Sequence, residues 1–306
     1  MQKRVHRLGT IDSPAEFRGF LEMAEGFRKL HDRPLCFDLD ERMWRGHTLE
    51  DPDFDPGLFL GAHGPDGLEG AALGIVRRWK NPSRGFVKFI TSPIPELLEE
   101  LEKRLFAEGV SEIHFGASAP LYLFPGVPAE DADLMALLEN RGWSLLSDRV
   151  NLALSAENAC AASAAMARAP ERFTIRVAIP ADREKTLRFI EREFTRSWAV
   201  ETSAAFDNPP RHGAFCVIAE DASDVLGFAA VHASNPGWFG PMGVAENLRG
   251  KGLGGALAVR AAEEAFDRDQ NLSRLLLPWI NDKEPFYRKI FGDMERRVYK
   301  KAVVKR

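Results

Sequence analysis

A short turn rich in glycine and basic residues is the part of the sequence best suited to chemistry. Its members are Arg249, Gly250, Lys251, Gly252, Leu253, Gly254 and Gly255. Free backbone N–H groups at the start of a helix attract anions, and glycine lets the backbone approach a ligand closely. The two basic side chains add positive charge at the same place. This composition predicts a site that binds phosphate groups.

The turn can bind phosphate in this way only if a strand leads into it and a helix follows it. Residues 237–244 are apolar and partly aromatic, as expected for a buried strand. Residues 256–266 are strong helix formers. Four of their apolar residues are spaced to lie on one helix face: Leu257, Ala261, Ala265 and Phe266. The sequence therefore predicts a strand, a basic glycine turn and a helix in succession.

Two other interpretations of the turn remain open. Gly250, Gly252 and Gly255 also have the spacing of a dinucleotide-binding fingerprint, which would indicate a nicotinamide-dependent oxidoreductase. That fingerprint needs an acidic residue at the end of the next strand, whereas Asp267 and Asp269 come at the end of the helix. The turn could also be a solvated loop without a ligand. The phosphate site is preferred because Arg and Lys stand among the glycines.

The composition is that of an ordinary globular protein. Of 306 residues, 45% are hydrophobic and 28% are charged, and the net charge of −4 gives no support for nucleic-acid binding. Three distant cysteines argue against a disulfide framework and a cysteine metal site, and the histidines show no metal-ligand spacing. Neither a signal peptide nor an apolar run of about 20 residues is present. We predict a cytoplasmic protein that binds no membrane and no metal.

The length and the order of elements predict two domains of the α/β (α+β) class. We place them at residues 1–155 and 172–306, joined by a linker at 156–171 that is rich in small residues. In both halves, predicted strands and helices follow one another in a common order that includes a hairpin. This common order predicts a tandem duplication of one fold.

Two motifs in the second half carry a family resemblance. Residues 249–254 match the pattern Arg or Gln, two residues, Gly, one residue, Gly or Ala, between a strand and a helix. Downstream, Asn281 follows a predicted strand, and Phe286 and Tyr287 lie on the next predicted helix. Residues 172–304 therefore resemble the Gcn5-related N-acetyltransferases (the GNAT family), which transfer an acyl group from acyl-coenzyme A to an amine. Phe291-Gly292 departs from the Gly-Phe that the family usually has there.

The resemblance implies a fold and a co-substrate. It implies two tandem acyl-CoA N-acyltransferase (GNAT) domains, each with a mixed, mostly antiparallel sheet flanked by helices, and acetyl-CoA as co-substrate. In the first half, residues 91–95 lead directly into a helix without glycine or a basic residue. We therefore expect a degenerate first copy that does not bind coenzyme A.

The resemblance also assigns roles to residues of the second half. The backbone N–H groups of Met242, Gly243 and Val244 would pair with the pantetheine arm and polarise the thioester carbonyl. Tyr287 would protonate the leaving thiolate, and Asn281 would orient the arm. From spacing alone, Tyr287 could equally be a half-buried structural residue, and Asn281 an ordinary turn residue.

The base and the acceptor pocket are less defined. Glu193, Glu201 and His232 are candidate bases, but residues 237–244 contain no carboxylate, so a base that acts through water is the default expectation. We expect Trp198 and Glu201 to bind the acceptor.

The predicted function is transfer of an acetyl or acyl group to the primary amine of a small molecule by direct attack. The alternative is a non-catalytic sensor or interaction protein that binds coenzyme A. We expect no nucleic-acid partner and either a monomer or a homodimer.

Overall fold

A computed structural model describes residues 4–8, 14–31, 41–165, 173–222 and 224–306, which fall into two units. The first unit contains the described residues up to 149 together with residues 298–306, and the second contains residues 150–297. The chain passes between the units within two long strands, Ser144–Ser155 and Glu295–Lys305. The units therefore differ from the predicted domains, whose boundaries were 1–155 and 172–306.

The first unit is built on a mostly antiparallel sheet. Its strands are β1 (Arg4–Arg7), β2 (Phe59–Gly64), β3 (Gly67–Arg77), β4 (Arg84–Ile90), β5 (Glu112–Phe115) and β6 (Val127–Pro128). The last part of the strand Glu295–Lys305 completes it by pairing with β5 and β6. Neighbours β1 to β4 are antiparallel, and β4 and β5 are parallel. The helices are α1 (Pro14–His31), α2 (Glu41–His47), α3 (Pro95–Ala107) and α4 (Ala132–Asn140).

Helix α3 covers the core of this unit. The structure confirms its predicted apolar face, because Leu97, Leu98, Leu101 and Leu105 are all fully buried. At about 1.5–3 kcal/mol for each buried leucine, this face is a main reason why the helix packs on the sheet. For α1 the sequence predicts an apolar face of Phe17, Phe20, Leu21, Ala24 and Phe27 after a cap at Ser13. Phe17, Phe20 and Ala24 are buried and Leu21 is half-buried, while Ser13 and the Phe27 side chain lie outside what the structure describes.

The second unit contains the remaining elements. Its strands are β7 (Ser144–Ser155, from Val150), β8 (Thr174–Val177), β9 (Phe215–Glu220), β10 (Val225–Val231), β11 (Phe239–Val244), β12 (Arg274–Leu277) and the start of β13 (Glu295–Lys305). Its helices are α5 (Ala156–Ala165), α6 (Arg183–Glu193), α7 (Arg196–Ser203), α8 (Leu253–Arg268) and α9 (Glu284–Phe291). Strands β8 to β11 form an antiparallel sheet in the order β11-β10-β9-β8, and β7 pairs antiparallel with β12.

Helix α5 occupies most of the stretch predicted to be a linker. Ala159 and Ala162 are buried in the core of the second unit, and the Ser163 hydroxyl donates a hydrogen bond to Glu263 of α8. The small residues of α5 form no stripe of large apolar side chains from which a buried helix could be predicted. They nevertheless allow the helix to pack closely against its neighbours. Residues 166–172 of the predicted linker lie outside the described residues.

The predicted α/β class, with mostly antiparallel sheets flanked by helices, is confirmed. The prediction missed β1, α2 and α7. The sequence predicts a polar segment containing Trp198 and Phe206 here, without a helix. The Thr195 side chain nevertheless accepts a hydrogen bond from the Trp198 N–H and caps the start of α7. Among the described residues, no helix combines the length and the apolar character needed to cross a membrane.

Candidate active site

Strand β11 has one free edge. Its other edge pairs with β10, with Phe228 opposite Gly243 and Ala229 opposite Met242. On the free side, within the described residues, the nearest strand contact is a parallel bridge between Trp238 and Leu276, where the Leu276 N–H donates to the Gly237 carbonyl at 2.7 Å. Beyond that bridge, no further pairing between β11 and β12 is present. Within the described ranges, the backbone groups of residues 239–244 on this side therefore pair with no strand.

The basic glycine turn connects this free edge to helix α8. Gly250 and Gly252 have φ angles of 76° and 84°, in the left-handed region that glycine adopts without strain. Gly252 is the N-cap of α8, and no side chain caps the helix there. No acidic residue stands in the first turn of α8. The N–H groups at the start of α8 thus have no side-chain partner in the described part of the chain.

The two basic side chains of the turn behave differently. Lys251 folds back, and its Nζ donates to the Asn247 carbonyl at 2.9 Å. The Arg249 N–H donates to the Glu246 carbonyl at 3.2 Å, but the exposed Arg249 guanidinium forms no hydrogen bond or ion pair with any described residue. An added Cβ at Gly250 or Gly252 would meet no atom within 4 Å, so the turn is open to a ligand. The uncapped helix start, the open turn and the free guanidinium together suit an anionic ligand such as a phosphate group.

Helix α9 brings Tyr287 to this site. The Tyr287 ring packs edge-on against Phe239 of β11, with ring centroids 6.4 Å apart. Next to it, Phe286 lies 3.5 Å from the position that a Cβ on Gly254 would occupy. Strand β11, the start of α8 and α9 therefore meet, as the two sequence motifs predicted. The nearness of Phe239 was not predicted, because aromatic residues in a strand give no signal for a distant partner.

The Tyr287 side chain is 9% exposed, and its hydroxyl forms no hydrogen bond with any described residue. Burial raises the pKa of the Tyr287 phenol well above its usual value. The phenol is therefore protonated throughout the neutral range, which is the state that a general acid needs.

Asn281 lies in the turn that joins β12 to α9. Its φ of 44° is in the left-handed region, which asparagine tolerates better than most residues. Its Oδ1 accepts a long hydrogen bond from the Val150 N–H at 3.4 Å. Asn151 supports the same turn by accepting a hydrogen bond from the Trp279 N–H at 2.8 Å. Asn281 is exposed and thus combines a role in the turn with a side-chain amide that is open to solvent.

Trp198 belongs to an aromatic group above β11. Its ring stacks on Phe194 with centroids 5.2 Å apart, and both rings pack on Phe228. A Cβ on Gly243 would lie 2.3 Å from the Phe194 ring, so glycine is required at that position. Trp198 is only partly buried, so part of its ring is open to solvent. The sequence places Phe194 on the inward-facing side at the end of α6, and the ring does pack against the core of this unit.

Of the three candidate bases, only Glu201 is buried close to a polar neighbour in the β10–β11 loop. Glu201 is 9% exposed, and its Oε2 accepts a hydrogen bond from the Ser234 hydroxyl at 3.3 Å. Ser234 itself is 4% exposed. Glu193 instead accepts a hydrogen bond from the exposed neighbour Arg192 at 3.0 Å. The sequence did not indicate Ser234, since a lone serine in a loop has no distinctive spacing.

His232 is poorly suited to act as a base. Its Nδ1 accepts a hydrogen bond from the Gly237 N–H at 2.8 Å, so the proton of the neutral ring is on Nε2. Burial lowers the pKa of His232 to about 4, which leaves the ring neutral at physiological pH. The lone pair on Nδ1, which a base would need, therefore already accepts the hydrogen bond that holds the loop before β11.

Comparison with known families agrees with this geometry. Residues 183–292 match the model of the acetyltransferase (GNAT) family. This segment contains the free edge of β11, the basic turn, α8 and Tyr287. A search among curated proteins finds no significant match.

Solved structures show the fold of the whole chain. A GCN5-related N-acetyltransferase from Sphaerobacter thermophilus aligns with a TM-score of 0.67 and 14% identity, over 99% of this chain and 95% of that one. A tandem GNAT protein of the clavulanic acid biosynthesis pathway aligns with a TM-score of 0.70 and 12% identity, over 99% of this chain and 98% of that one. A GCN5-related glucosamine N-acetyltransferase region of a fungal GH3 β-N-acetylglucosaminidase aligns with a TM-score of 0.72 and 15% identity. The alignment covers 99% of this chain but only 38% of that one. Residues 183–292 are thus a domain of the GNAT family of acetyltransferases, in a chain that has the fold of solved GCN5-related N-acetyltransferases.

Proposed function

We propose that the protein is an N-acetyltransferase that uses acetyl-CoA to acetylate the primary amine of a small molecule, in the second unit. The observation that carries the proposal is the free edge of β11, which leads through an open basic turn into the uncapped start of α8. The backbone groups of β11, the Arg249 guanidinium and the N–H groups at the start of α8 thereby follow one another along the chain. In this proposal the two units correspond to two copies of one fold, of which the second is active.

Each part of the site has a distinct task. The N–H groups at the start of α8 and Arg249 bind the phosphates, and the free edge of β11, at Met242, Gly243 and Val244, holds the extended arm. Backbone N–H groups on that edge stabilise the negative charge that develops on the carbonyl oxygen when an amine attacks it. Tyr287 holds the proton that the departing sulfur needs. Asn281 has an exposed amide beside the same helix and orients the arm.

The acceptor binds beside the Trp198 ring and the Glu201 carboxylate. A buried carboxylate attracts a cationic amine more strongly than an exposed one does, because water screens the interaction less. Glu201 is hydrogen-bonded to Ser234 and is therefore held in one place. The amine loses its proton to Glu201 directly or through water, since His232 has no free lone pair.

The proposal is tested first by binding. Arg249→Glu should weaken acetyl-CoA binding at least about a hundredfold, because it replaces an attractive charge of the turn by a repulsive one. Arg188→Glu is a matched control, since Arg188 is 70% exposed on α6 and, among the described residues, pairs only with Glu184 at 3.4 Å. Isothermal titration with acetyl-CoA measures both variants. Unchanged binding by Arg249→Glu would refute the phosphate role of the turn.

The reaction is tested with a panel of amines that contains amino sugars, polyamines, amino acids and aminoglycosides. Glucosamine is included because the similar fungal region is named for it. Acetyl transfer to any member supports the proposal. Binding of acetyl-CoA without turnover on the whole panel would favour the coenzyme A sensor, and thermal stabilisation by NAD but not by acetyl-CoA would favour an oxidoreductase. The cytoplasmic location and the monomeric or homodimeric state stay predictions.

A further inference from the structure

Three metal-ligating side chains meet in the first unit, away from the proposed active site. His6 on β1, Glu16 on α1 and His63 on β2 each offer one ligand atom, and these atoms lie within 4.8 Å of one another. The sequence positions gave no indication of this cluster, and the sequence analysis predicted no metal site. Strands β1 and β2 pair antiparallel with His6 opposite Gly61 and Arg4 opposite His63. His6 and His63 are therefore diagonal neighbours on one face of the sheet, and α1 supplies the carboxylate.

The distances in the cluster are too long for hydrogen bonds. Glu16 Oε1 lies 3.6 Å from His63 Nε2 and 3.9 Å from His6 Nε2. A hydrogen bond between such groups spans about 2.7–3.2 Å. The same unit contains a His–Glu pair that does form one, since His114 Nε2 and Glu112 Oε1 are 2.9 Å apart. Ordinary His–carboxylate pairing therefore does not account for the geometry of the cluster.

The distances are close to those between ligands of a single metal ion. Zinc bonds of about 2.0–2.1 Å at tetrahedral angles separate two ligand atoms by about 3.3 Å. Movements of a few tenths of an ångström would bring Glu16 Oε1 to that distance from both imidazoles. The rings already approach each other, with centroids 4.1 Å apart. His63 Nε2 is the ring nitrogen that faces Glu16 Oε1, at 3.6 Å, while His63 Nδ1 is buried without a hydrogen-bond partner.

We propose that His6, Glu16 and His63 form a binding site for a divalent transition-metal ion of the zinc class. Two imidazoles and one carboxylate are a ligand set that suits Zn²⁺ and Co²⁺, and a water molecule completes the tetrahedron. The ion connects helix α1 to the edge strand β1 and to its neighbour β2. The Arg4 side chain is exposed and reaches into water, which screens its repulsion of the cation.

The experiment uses the full-length protein without an affinity tag, after removal of metal with a chelator. Isothermal titration with Zn²⁺ and visible absorption with Co²⁺ measure affinity and stoichiometry. We expect one site per chain and a rise in the melting temperature on addition of Zn²⁺. Glu16→Gln, His6→Ala and His63→Ala should each weaken binding at least tenfold and abolish the rise in melting temperature.

Two control variants test whether the effect is specific. Glu22→Gln makes the same chemical change at an exposed position of α1, and His114→Ala removes a histidine outside the cluster. Both should keep wild-type affinity. The proposal is overturned if the wild-type protein binds neither ion, or if the cluster variants bind as tightly as the controls. Glu16→Gln nearly preserves side-chain size, so it remains informative if a histidine variant does not fold.

Discussion

Replacement of Tyr287 by phenylalanine removes one oxygen atom and tests the proposed general acid. The hydroxyl forms no hydrogen bond with any described residue, so no folded-state interaction is lost with it. We therefore expect the free energy of unfolding to stay within about 0.5 kcal/mol of the wild-type value or to rise.

The effect on catalysis should be much larger than the effect on stability. A positioned general acid typically contributes a factor of about 10² to 10⁴ to the rate, which corresponds to about 2.7–5.5 kcal/mol of activation free energy. We expect kcat to fall by such a factor, while the KM for acetyl-CoA changes little. Stopped-time acetylation assays with a primary amine found in the panel would measure both constants, and urea unfolding would measure stability.

Tyr299→Phe provides the matched control, since Tyr299 lies on β13 in the first unit and is also buried. It should leave kcat unchanged. The pH profile gives an independent check: burial raises the pKa of Tyr287, so the acid keeps its proton and kcat should not fall through its ionisation below about pH 10. Wild-type kcat in Tyr287→Phe, or an alkaline fall near pH 8 that this variant removes, would refute the assignment.

Two further predictions concern stability. Asp51→Asn should lower the free energy of unfolding by about 3–5 kcal/mol, since it leaves the buried Arg77 and Lys88 without their shared counter-ion. Urea unfolding measures this loss and should show a smaller one for the control Asp53→Asn. Equal losses for the two variants would contradict the prediction. His232 binds a proton more weakly when folded, with a pKa near 4 instead of 6.5. Its contribution to stability is therefore complete above pH 6.5 and decreases by up to about 3 kcal/mol as the pH falls to 4. His232→Gln should lose that part of the pH dependence, and an unchanged pH dependence would show that His232 titrates normally.

Local features of the site could be predicted because each depends on a short stretch of consecutive residues. The turn at residues 249–255 has its conformation set by its own glycines, and α3 and α8 by the spacing of their leucines and alanines. Helix α7 escaped prediction since Thr195 is its clearest signal, and a single capping residue is common in loops as well.

Contacts between distant residues could not be predicted in this way. Tyr287 and Phe239 are far apart in the sequence, and only the family motifs indicated that α9 belongs to the site. Glu201 and Ser234, or the cluster of His6, Glu16 and His63, are brought together by strand pairing and helix packing. Sequence spacing encodes which face a residue occupies within its element. It does not encode which other element that face will meet.

The two units show how a small difference in strand pairing decides where a ligand can bind. In the first unit the parallel strands β4 and β5 pair at three successive positions, from Gly85 with Ile113 to Val87 with Phe115. Directly beyond them, the buried Asp51 binds Lys88 and also Arg77, whose Nη2 donates to the Ser118 carbonyl at 2.6 Å.

Burial alone would raise the pKa of Asp51, but Lys88 and Arg77 lower it well below its usual range. The carboxylate is therefore charged and firmly bound at all physiological pH values. In the second unit, the described parts of β11 and β12 meet at a single bridge, and no comparable ion cluster fills the space beyond it. Displacing the buried ion cluster of Asp51, Arg77 and Lys88 would cost more free energy than binding the neutral pantetheine arm of coenzyme A would supply. For this reason we expect one acetyl-CoA per chain, bound along β11.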